Sequence, residues 1–236
     1  MTVETTYLKT YYFYYSPLLW KALTIPAGVH YNEDNSYEVR WGHNMGKILV
    51  FLFDGMTDYE ISFICHVLHT DAGKDIITVA YEDRVIKSQS GFNFDPDCTL
   101  SEVVDLEVEG LILCGGREVD IKPSLMRLIK RCDKERKLLA AIGTAGTVML
   151  AKSGVLEEAT YTTPITTWTT KYQYVYGIQD PFPRDNYIDK RLVRDRHIIT
   201  AQTIAFLDFT LEICAWFKLF QNHQEKHAFA RLVKGA

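Results

Sequence analysis

The chain has 236 residues, 47% of them hydrophobic, and 26 Lys and Arg against 30 Asp and Glu give a formal net charge of -4 at pH 7. That length suits one sizeable α/β core with an appendage, and a weak, scattered charge excludes a nucleic-acid-binding footprint. No apolar run is long enough for a membrane span and the first residues lack a signal peptide's pattern, so a cytoplasmic protein is expected. The cysteines, Cys65, Cys98, Cys114, Cys132 and Cys214, are odd in number and form no CxxC pair. A disulfide framework is therefore not expected, nor a metal site or cofactor.

Residues 1–44 hold tyrosines at Tyr11, Tyr12, Tyr14 and Tyr15, two prolines and the polar stretch NEDNS, without helical or strand periodicity over any long window. Two readings stand. Either Met45 opens the natural protein, or the segment is an aromatic arm that packs on the domain or on a partner. Residues 45–220 carry a regular alternation of elements, and 221–236 read as a polar helical tail.

KILVFLF (47–53) is a short continuous apolar run, the pattern of a strand covered on both faces. It ends at Asp54-Gly55. Thr57 stands three residues before Glu60, a capping-box spacing, and ISFICHVL then repeats apolar residues at helical intervals. IITVAY (76–81) predicts a second strand and RVIKSQSGFNF a short hairpin. GLILC (110–114), PSLMRLIKRC and KLLAAI (137–142) predict strand, helix and strand. The run AIGTAGTVMLAKS turns sharply into a helix. TTPITTWTTKYQYVY, within 160–176, alternates β-branched, aromatic and polar residues, which suits an edge strand or a loop covering a pocket. HIIT (197–200) and AFLDFTLEICAWFKLF (205–220) predict a last strand and a long amphipathic helix. Strands interleaved with helices imply a doubly wound, mostly parallel α/β sheet with helices on both faces.

In such sheets ligands sit beyond the carboxyl ends of the strands, so three turns matter most. In DGMTDYE, Glu60 is either a helix-capping carboxylate, which the spacing favours, or a buried acid pointing into a site. Cys114-Gly115-Gly116 places paired glycines after a strand, where amides can face an anion. AIGTAGT has the strand-to-helix context of a nucleophile elbow without its residues.

Together these turns resemble the ThiJ/PfpI family of the class I glutamine amidotransferase-like superfamily, over residues 46–220. The resemblance rests on DG after the first strand, an acid at Glu60, CGG where the family has a PGG-like turn, AAIG where it has AAIC, and TAQTIAFLDF ahead of the last helix. It implies a flavodoxin-like fold and, as is frequent in that family, a homodimer. The family's nucleophile is the elbow cysteine, activated by the nearby acid and the helix N-terminus. That position aligns with Gly143, or with Thr144 if the register slips by one. Neither is a cysteine, the next residue is Thr144 or Ala145, and 160–187 contain no histidine. The resemblance therefore implies a member without thiolate chemistry.

Other groups offer weaker chemistry. Thr144 would need Glu60 as its base to act as a nucleophile. Cys114 either faces the pocket or fills the core, and core packing is the commoner role of a buried cysteine. His66 and His69 have metal-ligand spacing without a third ligand. The expected ligand-lining residues are Gly115, Gly116, Cys114, Thr144, Ala145 and Trp168, with Tyr172 and Tyr174 walling a pocket for a small uncharged or carbonyl molecule. Two functions follow: a non-catalytic protein that binds an unidentified small molecule, the favoured one, or a cysteine-independent hydratase, lyase or hydrolase with Glu60 as general acid or base.

Overall fold

The computed structural model describes residues 46–235 continuously, together with the backbone of two short earlier strands. The described residues form two compact units, one of Gly46–Phe220 and one that joins those strands to the residues from Gln221 onward. The earlier strands, β1 (Val29–Tyr31) and β2 (Tyr37–Val39), pair antiparallel with His30 opposite Glu38. Apart from them, the aromatic segment, and with it the choice between an arm and a later start, lies outside the described residues.

The larger unit follows the alternation of the sequence. β3 (Lys47–Phe51) leads into helix α1 (Tyr59–Thr70), and β4 (Asp75–Ala80) follows. A small antiparallel hairpin, β5 (Ile86–Lys87) and β6 (Asn93–Phe94), precedes the short strand β7 (Cys98–Thr99). β8 (Gly110–Leu113), α2 (Pro123–Lys134), β9 (Leu138–Ile142) and α3 (Gly143–Ser153) complete the central units. Pro123 opens α2 at a position where its missing N–H is not needed. Gly154 closes α3 at φ +84°, a left-handed cap that glycine adopts without strain.

The main sheet has seven strands in the order β10-β11-β9-β8-β3-β4-β7, where β10 is Leu192–Asp195 and β11 is Ile198–Ala201. Every pairing is parallel except β10 with β11. Taken in chain order, the parallel core β4-β3-β8-β9-β11 has the flavodoxin-like arrangement 2-1-3-4-5, whose switch point lies between the first and third strands, here β3 and β8. Every residue of β8, β9 and β11 is buried, so helices cover both faces. One helix pair is α1 with α5 (Phe206–Trp216), the other α2 with α3. No described helix is long and apolar enough to cross a membrane.

Two expectations need correction, and one strand was unforeseen. The last helix stops at Trp216, four residues short of its apolar pattern, because Lys218 takes φ +57° and the chain leaves the helix. Strand β10 carries no strong apolar signal: it is an edge strand whose pattern is broken by Arg194, which pairs with Glu212 at 2.9 Å. The second correction lies in 160–176, where an edge strand or a loop over a pocket was expected: no strand element forms, and the loop is buried at its start before Thr166, Thr167 and Thr169 reach the surface. Tyr161, Thr162 and Thr163 are fully buried, and each threonine hydroxyl has a partner: Thr162 Oγ1 donates to Lys190 O at 2.6 Å, and Thr163 Oγ1 lies 2.8 Å from Thr147 Oγ1.

Thr170–Tyr176 then forms helix α4. Trp168, Tyr172 and Tyr176 stand four apart, one helical face, and the Trp168 ring packs on the other two at centroid distances of 5.7 and 6.2 Å. The alternating tyrosines at 172, 174 and 176 hide that stripe in the sequence. Phe182 meets the other side of Trp168 at 6.1 Å. Trp168→Ala should therefore loosen α4 selectively. Amide exchange across 170–176 is expected to speed at least about tenfold while β9 keeps its protection; equal acceleration in both would contradict the local role.

In the smaller unit, helix α6 spans His223–Lys234. Asn222 Oδ1 accepts from the Glu225 N–H at 2.9 Å, and Glu225 Oε2 accepts from the Gln221 N–H at 2.6 Å. That reciprocal pair satisfies amides the first helical turn leaves free.

Candidate functional site at the strand ends

The three turns singled out in the sequence meet at the carboxyl ends of β3, β8 and β9. The turn after β3 is fixed from two sides. Thr57 N–H donates to Gly115 O at 2.9 Å, and Met56 forms an antiparallel bridge with Gly116. On the other side the β5–β6 hairpin holds it: Gly55 N–H donates to Lys87 O, Lys87 N–H to Asp54 Oδ1, and Gln89 N–H to Met56 O, all at 2.8–2.9 Å. This clamp sets the start of α1, and with it Glu60.

Glu60 does not cap the helix. Its side chain is 1% exposed, and Oε2 accepts the Gly115 N–H at 2.6 Å. The other oxygen, Oε1, has no hydrogen-bond partner. Burial disfavours the charged form and pushes the Glu60 pKa up to about 7, against the opposing pull of the Gly115 amide. Near neutral pH much of the population therefore carries a neutral carboxyl.

Gly143 sits opposite, at φ +71°, where β9 turns into α3. Other residues reach this left-handed region only with strain. The space is as restrictive as the angle. A β-carbon on Gly143 would lie 2.7 Å from Glu60 Oε1, 2.9 Å from Gly115 Cα and 3.1 Å from Glu60 Oε2. Glu60, Gly115 and Gly143 are in mutual contact, all three buried, and the carboxyl occupies the space a side chain at 143 would need.

The remaining candidates are placed differently. Thr144 is half-buried in the first turn of α3 and Ala145 is buried beside it. Gly116 faces the Phe53 ring, which a β-carbon there would meet at 2.6 Å. Cys114 is fully buried, with Sγ 3.9 Å from Phe51 O, and burial followed by the Glu60 charge holds its thiol far above the ordinary range. Trp168 donates from Nε1 to Gly177 O at 3.0 Å, and Tyr176 of its α4 stripe donates its hydroxyl to Arg117 O, next to the CGG turn, at 3.3 Å. His66 and His69 are exposed. Among the described residues no group of His, Cys, Asp or Glu is arranged to hold a metal ion.

A feature that the sequence reading missed lies beside the elbow. A cavity of about 200 Å³ opens beyond β3, β4 and β8, lined by residues from 52–54, 81–86 and 118–122. It straddles the switch point between β3 and β8, where open α/β sheets bind ligands. Its lining comes from three separate turns, and no local pattern in the sequence marks it.

The comparisons agree with the topology. A protein of Bacillus subtilis named as the uncharacterized protease YoaZ is 23% identical over 205 residues, covering 78% of this chain and 94% of that protein. The deglycase TK1284 of Thermococcus kodakarensis is 25% identical over 123 residues, 51% of this chain and 73% of that one. Among solved structures, the DJ-1 superfamily protein Atu0886 from Agrobacterium tumefaciens superposes with a TM-score of 0.67 at 21% identity, over 81% of this chain and 98% of its own. The profile of the DJ-1/PfpI family matches residues 46–215. The chain therefore belongs to the DJ-1/PfpI family.

Proposed function

We propose that this chain is a DJ-1/PfpI domain protein without the family's elbow cysteine and histidine, a non-catalytic protein that binds a small molecule or regulates through one. The observation that carries this reading is Gly143 at φ +71° with Glu60 packed against its Cα. If Gly143 stands at the family's nucleophile position, as the alignment on AAI implies, the acid that would activate a thiol instead fills the thiol's place. The names protease and deglycase belong to the relatives that carry them. Such thiol-based chemistry would need a thiolate here, and Cys114, held neutral in the core, supplies none.

In this reading residues 45–220 are the binding domain, 1–44 an aromatic arm and 221–236 a helical tail. The protein works in the cytoplasm as a homodimer; its five free cysteines suit a reducing compartment. The second reading, a cysteine-independent enzyme, is favoured by one observation: a carboxyl with a pKa of about 7 suits general acid–base catalysis near neutral pH. Against it, Glu60 is 1% exposed and its Oε1 is packed against the Gly143 backbone.

Turnover of methylglyoxal, an isonitrile, glutamine and chromogenic esters by wild type and Glu60→Gln separates the two. No turnover by either protein is the expected result. Activity in the wild type that disappears in the variant would assign the chemistry to Glu60 and overturn the binding reading.

A further inference from the structure

The cavity at the β3–β8 switch point differs from the elbow in being open and charged. Its floor is apolar: Leu52 is 1%, Ile86 3%, Phe53 6% and Val119 9% exposed. Its rim carries four carboxylates, Asp54, Glu82, Glu118 and Asp120, against two cations, Arg84 and Lys122. Both cations are already engaged. Arg84 pairs with Asp54 at 2.6 Å and Glu82 at 3.2 Å. Lys122 lies 3.8 Å from Glu82 and 4.7 Å from the centre of the Tyr81 ring. The Tyr81 hydroxyl is saturated as well, donating to Asp120 O at 2.8 Å and accepting the Lys122 N–H at 3.0 Å.

Two rim groups are left over. No cation among the described residues forms an ion pair with the Glu118 or Asp120 carboxylate. An anion entering here would meet this excess of negative charge, while a neutral apolar molecule would gain nothing from it. A cation gains from both carboxylates, which stand exposed at the rim, and an apolar stem behind it covers the buried floor.

We propose that this cavity is the binding site of the domain and that it takes a small organic cation, an ammonium or guanidinium on a short apolar stem. The assignment rests on the binding reading above and names its ligand class. It places recognition away from Glu60, which does not line the cavity, in the Glu118 and Asp120 carboxylates of the loop after β8.

Calorimetric titration of the full chain with agmatine and cadaverine, and in parallel with glutarate and inorganic phosphate, tests it. The two amines should bind with one site per chain and the two anions should not. Glu118→Gln/Asp120→Asn should weaken amine binding about tenfold with the melting temperature unchanged. Glu107→Gln/Glu135→Gln, which removes two exposed acids outside the cavity, should bind as wild type does. Failure of both amines to bind, binding of the anions instead, or equal weakening in the two double variants would each overturn the assignment. Those results leave the closed elbow untouched, whereas turnover in the substrate panel would overturn the binding reading without bearing on the cavity.

Discussion

Replacing Gly143 with alanine is expected to destabilise the fold by about 2–4 kcal/mol, from a left-handed backbone penalty and an overpacked contact acting together. The new methyl carbon would stand 2.7 Å from Glu60 Oε1 and 2.9 Å from Gly115 Cα, closer than atoms in real proteins come. Neither neighbour can give way easily. Gly115 is tied through its carbonyl to Thr57 and through its N–H to Glu60, and α1 is held by the hairpin clamp. Gly154 is the internal control. Its φ of +84° is equally left-handed, but nothing lies within 4 Å of a β-carbon there. Gly154→Ala should therefore lose only the backbone part, about 1 kcal/mol. Denaturant unfolding of the two variants separates the contributions, and equal losses would mean that the Glu60 contact is not what requires glycine at the elbow.

Glu60→Gln is expected to stabilise the protein above pH 7 by about 3 kcal/mol, and to do nothing near pH 4.5. The sign follows from proton counting. In the unfolded chain the carboxyl releases its proton near its ordinary 4.5, whereas in the fold burial retains the proton to about pH 7. Between those values the folded state binds more protons, so wild-type stability falls as pH rises and levels off beyond about 7. Glutamine is neutral throughout and still offers an acceptor to the Gly115 N–H, so this slope disappears.

His197 opposes Glu60 within the same window. It is 2% exposed, donates from Nε2 to Asp133 Oδ1 at 2.8 Å, and burial lowers its pKa below 6.5 despite that partner. As pH falls through 6.5 the unfolded chain protonates this histidine first, so its contribution is lost toward acid. The wild-type curve alone mixes the two groups. The difference between wild type and Glu60→Gln isolates the carboxyl, and a difference that stays flat from pH 4.5 to 8 would contradict a raised Glu60 pKa.

The sheet was legible because its strands are short continuous apolar runs, and both-face burial leaves almost no other reading of KILVF or LLAAI. The turns were legible as places but not as contacts. Thr57 and Glu60 have the spacing of a capping box, yet the Gly115 amide, brought in by a strand more than fifty residues later, captures the carboxylate. Nothing local to DGMTDYE reports that. The threonines at 160–163 misled for a related reason: their hydroxyls look solvated in sequence and pair instead with Thr147, Lys190 and Asp195. Trp168, a candidate pocket residue, staples α4 through Tyr172 and Tyr176, a role its sequence neighbourhood does not announce. The cavity beside the switch point escaped notice because its lining comes from three separate turns, none with a motif of its own.

Carbon-detected NMR titration of the glutamate side-chain carboxyls tests most directly whether a buried, largely neutral Glu60 fills the elbow. One carboxyl titrating near pH 7, absent from Glu60→Gln, is the result the closed elbow requires. If every glutamate instead titrates near the ordinary value of 4.5, Glu60 is ionised and solvated, the elbow is open, and the non-catalytic reading loses its structural basis.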